Sequence, residues 1–528
     1  MLDKQKILPG LLTAGLILTL IVGAIAGLLW QSSDFEFHEL WQDSYYWHIT
    51  GFSFYQSFIS TLLSVGLAIP VAHALSRREF FGKGLLLKLF AITLVLPVLV
   101  GIFGLLAIYG NSGLLADLFE QFNAKLPFSI YGLNGILLAH VFFNLPFAAR
   151  LLLQSLQSIP IEQHKLAAHL GMGHWSKFKI VEWPYLKEQL PNIVGLVFML
   201  CFTSFATVMA LGGGPKSTTV ELAIYQVIKF DFDLQTGALL ALWQMFLCGS
   251  LVIFIQRFSR SLALDTPSHY HVFNIFNDSQ KAKCWDALWI VSTMLFVIPP
   301  LLMVIFSGLN SAFIKVIMDS TFWSALLNSL LIASFAAIIA LIFGLLILMC
   351  SRVWRLKGFD FKADKIELIA TIILVTPGLV ISTGLFLLLR NFTDVFDLAI
   401  FIVIMVNALM ALPYVIKTLA QPMLHIGEQY EQLCASLGMS GLSRFYIVEW
   451  RAIKKPISHA FAISFVLSMG DLSAIALFGS QDFRTLPLYL FQLLGSYQMS
   501  AAAVVSLFLL VFSVGIFMLI EKLMIKTR

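Results

Sequence analysis

Charge is scarce in this sequence. Asp, Glu, Lys and Arg make up only 12% of the 528 residues, where a soluble domain carries about 25%. Such a chain has too little polar surface to be a water-soluble globule. Cysteine is scarce as well. The five present (Cys201, Cys248, Cys284, Cys350 and Cys434) are odd in number, and no pair has metal-ligand spacing. A disulfide framework and a zinc site are thereby excluded, and buried or reduced thiols are expected. No cluster of His, Asp and Glu gathers at one depth, which excludes a membrane-embedded enzyme and implies neither metal nor cofactor. A nucleotide site is missing too. The stretch GGGPKST at 212–218 departs from G-x-x-x-x-G-K-[ST], because Pro215 separates Gly214 from Lys216 and no strand precedes it.

Long apolar runs fill the space that charge leaves. Hydrophobic residues reach 59%, and a bilayer is spanned by about 20 apolar residues in a helix. Within lipid every backbone N–H and C=O must be satisfied internally, so these runs must be helical. The fold class expected is an all-α polytopic membrane protein of about twelve spans. Six fall near 9–30, 54–76, 86–109, 133–149, 194–212 and 236–255. Six more fall near 287–307, 325–350, 366–389, 398–416, 458–479 and 500–520. Ala24-Ile25-Ala26 resembles a signal-peptidase site, but the apolar run that contains it, near 9–30, is too long for the apolar region of a signal peptide, so the first span is read as retained.

Basic residues set the orientation. Lys and Arg in short loops mark the cytoplasmic side. Loops 150–193, 257–286, 351–366 and 417–457 are basic, as are both termini, whereas the loop at 31–53 holds Asp34, Glu36, Glu39 and Asp43 with no Lys or Arg. Of the 34 basic residues, only Lys125, Lys216, Lys229, Lys315, Arg390 and Arg484 fall on the opposing side. Both termini are therefore expected in the cytoplasm. With no basic domain outside the membrane, nucleic acid is not an expected partner.

The chain also repeats itself. LGMGHWSKFKIVEW, ending at Trp183, returns 267 residues later as LGMSGLSRFYIVEW, ending at Trp450. From Leu166 to Trp183 the two copies share 11 identities in 18. Outside them, Leu145-Pro146 faces Leu412-Pro413, and Gly212 faces Gly479. The expected organisation is a first half, 1–256, a cytoplasmic connector, 257–286, and a second half, 287–528. Each half has six spans and a cytoplasmic loop, at 150–193 or 417–457, between its fourth and fifth. Six is even, so the halves run parallel about an axis along the membrane normal, and a passage is expected between them.

Each loop reads as a helix, a reversal at Gly171 or Gly438, and a second helix. Leu170, Met172, Trp175 and Phe178 are expected to expose an apolar knob, as are Leu437, Met439, Leu442 and Phe445, with Lys177, Lys179 and Arg444 at the rim. A knob with a charged rim suits a groove on a partner, and two knobs suit a dimeric one.

Ala167, Gly171, Val181 and Pro184 in the first copy, with Gly438 and Val448 in the second, resemble a signature of the permease subunits of ATP-binding-cassette importers. That signature is E-A-A-x-x-x-G, nine residues, then I-x-L-P; Lys165 and Gln432 occupy its acidic position here. WQDSYYWH (41–48), LLAHVFFNLPFAARLLLQSLQSIP (137–160), FATVMALGGGP (205–215), TTVELAIYQ (218–226) and DFRTLPLYLFQ (482–492) narrow the resemblance to fused permeases of bacterial thiamine and thiamine pyrophosphate importers. It implies the type I importer permease fold in the bacterial inner membrane. It also implies a separate dimeric ATPase on both loops and a periplasmic thiamine-binding protein. Ala167, Leu170, Gly171, Met172, Phe178, Leu437, Gly438, Met439 and Phe445 would then couple the ATPase to transport by alternating access. A fused ferric-iron-type permease and a twelve-helix secondary transporter are the alternatives.

Several polar residues sit in spans. Asp471 has two readings, a path-lining counter-ion for the thiazolium cation or a helix–helix hydrogen bond, and its counterpart is Ser204. His140, Asn144 and Asn407 are candidates to line the path, with interhelical bonding as the plainer expectation. Pro97 and Pro377 lie mid-span and are expected to kink their helices. Trp41, Tyr45, Tyr46 and Trp47 read as an interfacial belt or a binding-protein contact.

Overall fold

The computed structural model describes residues 2–31, 42–124, 127–258, 279–374, 376–392, 394, 397–439 and 445–526. Most of the expected connector, Arg444, Leu442 and Trp41 lie outside them, as does the side chain of Phe445. Helices account for the fold, and no strand occurs among the described residues. The first half runs through α1 (Leu2–Gln31), α2 (Ser44–Arg77), α3 (Lys83–Val95), α4 (Val98–Tyr109), α5 (Leu114–Gln121), α6 (Leu133–Gln157), α7 (Ile161–His169), α8 (His174–Lys177), α9 (Trp183–Phe202), α10 (Phe205–Leu211), α11 (Val220–Lys229) and α12 (Leu234–Phe258). The second runs through α13 (Gln280–Gly308), α14 (Phe313–Met318), α15 (Ser320–Leu356), α16 (Asp360–Thr371), α17 (Gly378–Leu389), α18 (Ala399–Ser436), α19 (Trp450–Gly470), α20 (Ser473–Phe478), α21 (Leu486–Gly495) and α22 (Met499–Lys526).

Ten stretches of the described chain are long and apolar enough to cross a membrane, and the bent pair α9–α10 makes an eleventh. The expectation of twelve uninterrupted spans is corrected at four places. The third span breaks between α3 and α4 at Pro97, and the ninth breaks before α17 at Pro377. Proline drives its predecessor out of the helical region, so Leu96 is extended at φ −66°, ψ 128°. The fifth and eleventh spans break at Ser204 and Asp471, the former with a bend of 51°.

The halves exchange their first helices. Helix α1 packs on α15 and α17 of the second half, and α13 packs on α2 and α4 of the first. Glycine permits both crossings. A Cβ on Gly27 would clash with the Gly384 carbonyl oxygen, and one on Gly104 would clash with that of Pro300. Without a hydrophobic drive between helices in lipid, such close backbone approach supplies the attraction.

A second twinned contact lies in the first third of α2 and α15. The Val220 N–H donates to Ser53 Oγ at 3.1 Å, and the Leu486 N–H donates to Ser329 Oγ at 2.7 Å. The short helices α11 and α21 are thereby pinned to α2 and α15. Asp319 caps α15 at Thr321 N, 2.9 Å, and accepts from the Tyr489 hydroxyl at 3.0 Å. Burial pushes its carboxyl up, but the Thr321 and Tyr489 donors and nearby Arg484 outweigh this and hold it below the usual carboxylate value.

Candidate functional site: twin repeated turns and the seam between the halves

The repeated stretches form the same turn twice. Helix α7 ends at His169, the chain reverses at Gly171, and the Gly171 N–H donates to Ala168 O at 3.0 Å while the Met172 N–H donates to Ala167 O at 3.0 Å. In the second copy α18 ends at Ser436, and the Met439 N–H donates to Cys434 O at 2.9 Å. Both glycines have φ 63°. This is a Schellman cap, whose left-handed residue carries no Cβ penalty only when it is glycine. A π-helical turn follows in each copy, at Phe178–Glu182 and Phe445–Glu449, where five residues fill a turn that usually takes four.

The expected first knob divides. Leu170 and Trp175 are exposed at 64% and 75%, together with Leu166 and Ile180. Met172 and Phe178 are half-buried against the apolar cluster beneath the loop, and Ala167 lies within that cluster. Trp175 stacks on Phe178 with ring centroids 5.8 Å apart. Lys177 is not a free rim cation; it is buried, with Nζ 3.1 Å from Glu182 Oε1. In the second copy Leu437, Tyr446 and Ile447 are exposed and Met439 is half-buried.

The Glu of IVEW, present in both copies, was not singled out from sequence. Glu182 accepts from His73 Nε2 at 2.8 Å, and Glu449 accepts from Arg352 Nη2 at 2.9 Å. His73 lies on α2 and Arg352 on α15, so each loop is clamped to the second span of its own half. An acid repeated inside an otherwise apolar stretch was the available signal. The loop's other contacts, Ser155 Oγ to Tyr185 O at 3.0 Å and Gln163 Nε2 to Tyr185 Oη at 2.9 Å, occur in the first half.

The intramembrane polar residues fall into two groups. His140 is buried with both ring nitrogens engaged, Nδ1 with Ser60 Oγ at 2.9 Å and Nε2 with Ser204 Oγ at 2.8 Å. Asn144 Nδ2 donates to Cys201 Sγ at 3.3 Å, and Asn407 Nδ2 donates to Ser468 Oγ at 3.0 Å. These contacts join helices. Asp471 instead sits at the α19–α20 break, where Oδ1 accepts from Ser473 Oγ at 2.7 Å and Oδ2 from Ala474 N at 3.2 Å. Pro97 of the first half packs on neighbouring Gly470, where an added Cβ would lie 3.0 Å from the proline. Breaks from opposite halves thus meet at one place.

Lys229 crosses the same seam. From the end of α11 it donates to Leu477 O at 3.2 Å and Gly479 O at 3.1 Å, closing the far end of α20. Helix α11 therefore runs along α20, with Glu221 towards the end that Asp471 caps. Neither Glu221 nor Lys229 was weighed from sequence as a site residue, because the stretch between the fifth and sixth spans read as an outer loop.

Comparison with known proteins places this architecture. The family model described as "Binding-protein-dependent transport system inner membrane component" matches residues 61–260 and 361–524. The thiamine transport system permease protein ThiP of Escherichia coli (strain K12) is 46% identical over 525 residues, 98% of each chain. The protein of the same name from Haemophilus influenzae is 42% identical, covering 94% of this chain and 92% of its own, and that from Brucella abortus (strain 2308) is 37% identical, covering 98% and 95%. The two matched segments fall one in each half and together take in both repeated loops. With its apolar helices and its duplicated, loop-bearing halves, the chain is a multi-pass inner-membrane protein and belongs to the family of binding-protein-dependent transport system inner membrane components.

Proposed function

We propose that the chain is the membrane-spanning subunit of an ATP-binding-cassette importer for thiamine and its phosphate esters. A dimeric ATPase in the cytoplasm seats on the two loops, and a periplasmic thiamine-binding protein delivers the cargo. The observation that carries the coupling role is the pair of Schellman turns with equal φ, each presenting an exposed leucine, Leu170 or Leu437. The cargo rests on relatives named for thiamine transport that match nearly the whole chain. Those names disfavour the ferric-iron-type alternative.

On this reading 1–256 and 287–528 are the two halves, joined by a cytoplasmic connector, with both termini in the cytoplasm. The chain supplies no nucleotide site. ATP closes the partner dimer and draws the loops together. The clamps at Glu182 and Glu449 pass that movement to α2 and α15. From His73 to Ser53, α2 is a lever about 30 Å long, and its outer end holds α11 by the Val220 N–H. His140, Asn144 and Asn407 keep their helices in register, while Ser204 and Asp471 mark the path-side breaks.

The test is uptake of radiolabelled thiamine into proteoliposomes holding the chain, its ATPase and the delivery protein. ATP-dependent uptake is expected, and Gly171→Trp or Gly438→Trp should abolish it while the chain stays in the membrane. Uptake driven by a proton gradient without the ATPase would refute the reading.

A further inference from the structure

The seam between the halves holds two carboxylates. Glu221, on α11 of the first half, is 2% exposed, and its Oε2 has no hydrogen-bond partner among the described residues. Asp471 belongs to the second half. The Lys229 bonds fix α11 along α20, which brings Glu221 towards Asp471. Asp471 uses its oxygens on the first turn of α20, and the Lys229 ammonium is held at the opposite end of that helix. The facing elements bring no cation to Glu221 among the described residues.

Other unpartnered polar groups lie on those elements. Gln244 on α12 is 1% exposed, and both its amide oxygen and its amide nitrogen are unpartnered. Cys248, one turn further along the same face of α12, is fully buried. The hydroxyls of Ser382 and Thr383 on α17 are fully buried and unpartnered. Helix α17 packs on α11, α12 and α20, so all these groups belong to one junction. A buried polar group without a partner costs free energy, and a buried carboxylate costs more unless a cation meets it. Sites of this kind recur where discontinuous helices meet near the middle of a transporter.

We infer that Glu221, with Asp471 across the seam and Gln244 beside it, forms a transient binding site for a compact organic monocation carrying hydrogen-bond donors. Under the proposed function, on which this inference rests, that ligand is the positively charged ring system of thiamine rather than its phosphate groups. Because the carboxylates belong to different halves, rocking the halves changes their separation. The site is thus made and unmade by the same motion that opens the passage. The seam acts as a selectivity filter of the permease itself, additional to the delivery protein.

The experiment uses the reconstituted complex with its ATPase and delivery protein, and reads thiamine uptake and delivery-protein-stimulated ATP hydrolysis together. Loss of a charge-assisted hydrogen bond to the cargo predicts that Glu221→Gln lowers uptake about ten- to hundredfold. Stimulated hydrolysis should persist, and Glu221→Asp should restore part of the uptake. Wild-type uptake within twofold in Glu221→Gln would overturn the site. Loss of both uptake and hydrolysis in Glu221→Gln and in Glu221→Asp alike would assign Glu221 a structural role and also overturn it. Failure of the wild-type complex to take up thiamine would instead refute the proposed cargo, a result distinguishable from either.

Discussion

The two repeated loops share 11 identities in 18, yet the protein holds them differently. In the first half, Ser158-Ile159-Pro160 interrupts the chain between α6 and α7, and the loop rests on its own apolar cluster with Leu156, Ile159, Ala167 and Val181. In the second half, the equivalent of Pro160 is Gly427, and α18 runs unbroken for 38 residues to Ser436. Its loop continues into the main core through Ile426 and Ile453. Gly427 also makes room for the clamp, since a Cβ there would lie 3.0 Å from Arg352 Cδ. One loop is therefore a hinged arm and the other the rigid end of a long helix. A partner that pulls equally on both would meet a softer contact on the first side.

The largest test of this contrast removes the clamps. Arg352 and Glu449 are both buried, at 6% and 5% side-chain exposure. Glu449→Ala strands a guanidinium that cannot shed its charge, and a broken buried pair costs about 3–5 kcal/mol. Glu182→Ala removes one acceptor from His73 and from Lys177, whose flexible stem can re-aim towards water. A loss of about 1–3 kcal/mol is expected there. Thermal unfolding of the purified chain measures both, and equal losses would break the comparison.

Next in size is an exchange at the hinge. Gly427→Pro places a proline inside α18, where it removes one backbone bond, clashes with the preceding turn and costs about 3 kcal/mol. Pro160→Gly removes a natural helix stop outside the helix interior and should cost under about 1 kcal/mol. Because both positions lie outside the turns, the expected transport defect is large for the first variant and small for the second. Equal uptake by the two variants would show that the loops are mechanically alike.

Smaller again is the effect at the glycines of the turns. Gly171 and Gly438 both have φ 63°, and a Cβ at either would meet nothing within 4 Å. The cost of Ala is therefore conformational alone, about 1–2 kcal/mol at each, and the two variants should match. A large difference would mean that the local turns, and not only their supports, differ between the halves.

Sequence made the repeat, the helical class, the parallel halves and the two turn glycines legible, because hydropathy and glycine act locally. The breaks at Pro97 and Pro377 were visible as prolines, but not as full interruptions. Glu182 and Glu449 lie within the repeated motif, but sequence does not reveal their role, since their basic partners lie on α2 and α15, remote in the chain and unequal in type. Glu221 was hidden for a different reason. Its stretch carries Lys229, and a charged stretch between spans reads as a loop. Burial of α11 came from the docking of Val220 on Ser53 and of Lys229 on α20, which are tertiary events that no local pattern encodes.

The smallest effect lies within the spans, at the paired positions His140 and Asn407. Histidine bridges Ser60 on α2 and Ser204 at the α9–α10 break, whereas Asn407 reaches Ser468 on α19. His140→Asn converts the first arrangement towards the second. Asparagine is too short to keep both serines, so one interhelical hydrogen bond is lost. Such bonds average about 0.6 kcal/mol in a membrane protein, because the released groups find other partners. A small fall in unfolding temperature with near-normal uptake is the expected outcome, as suits a residue that binds helices together. A collapse of uptake with unchanged thermal stability would instead place His140 on the path, and the first half would then contribute more than Glu221 to what the cargo meets.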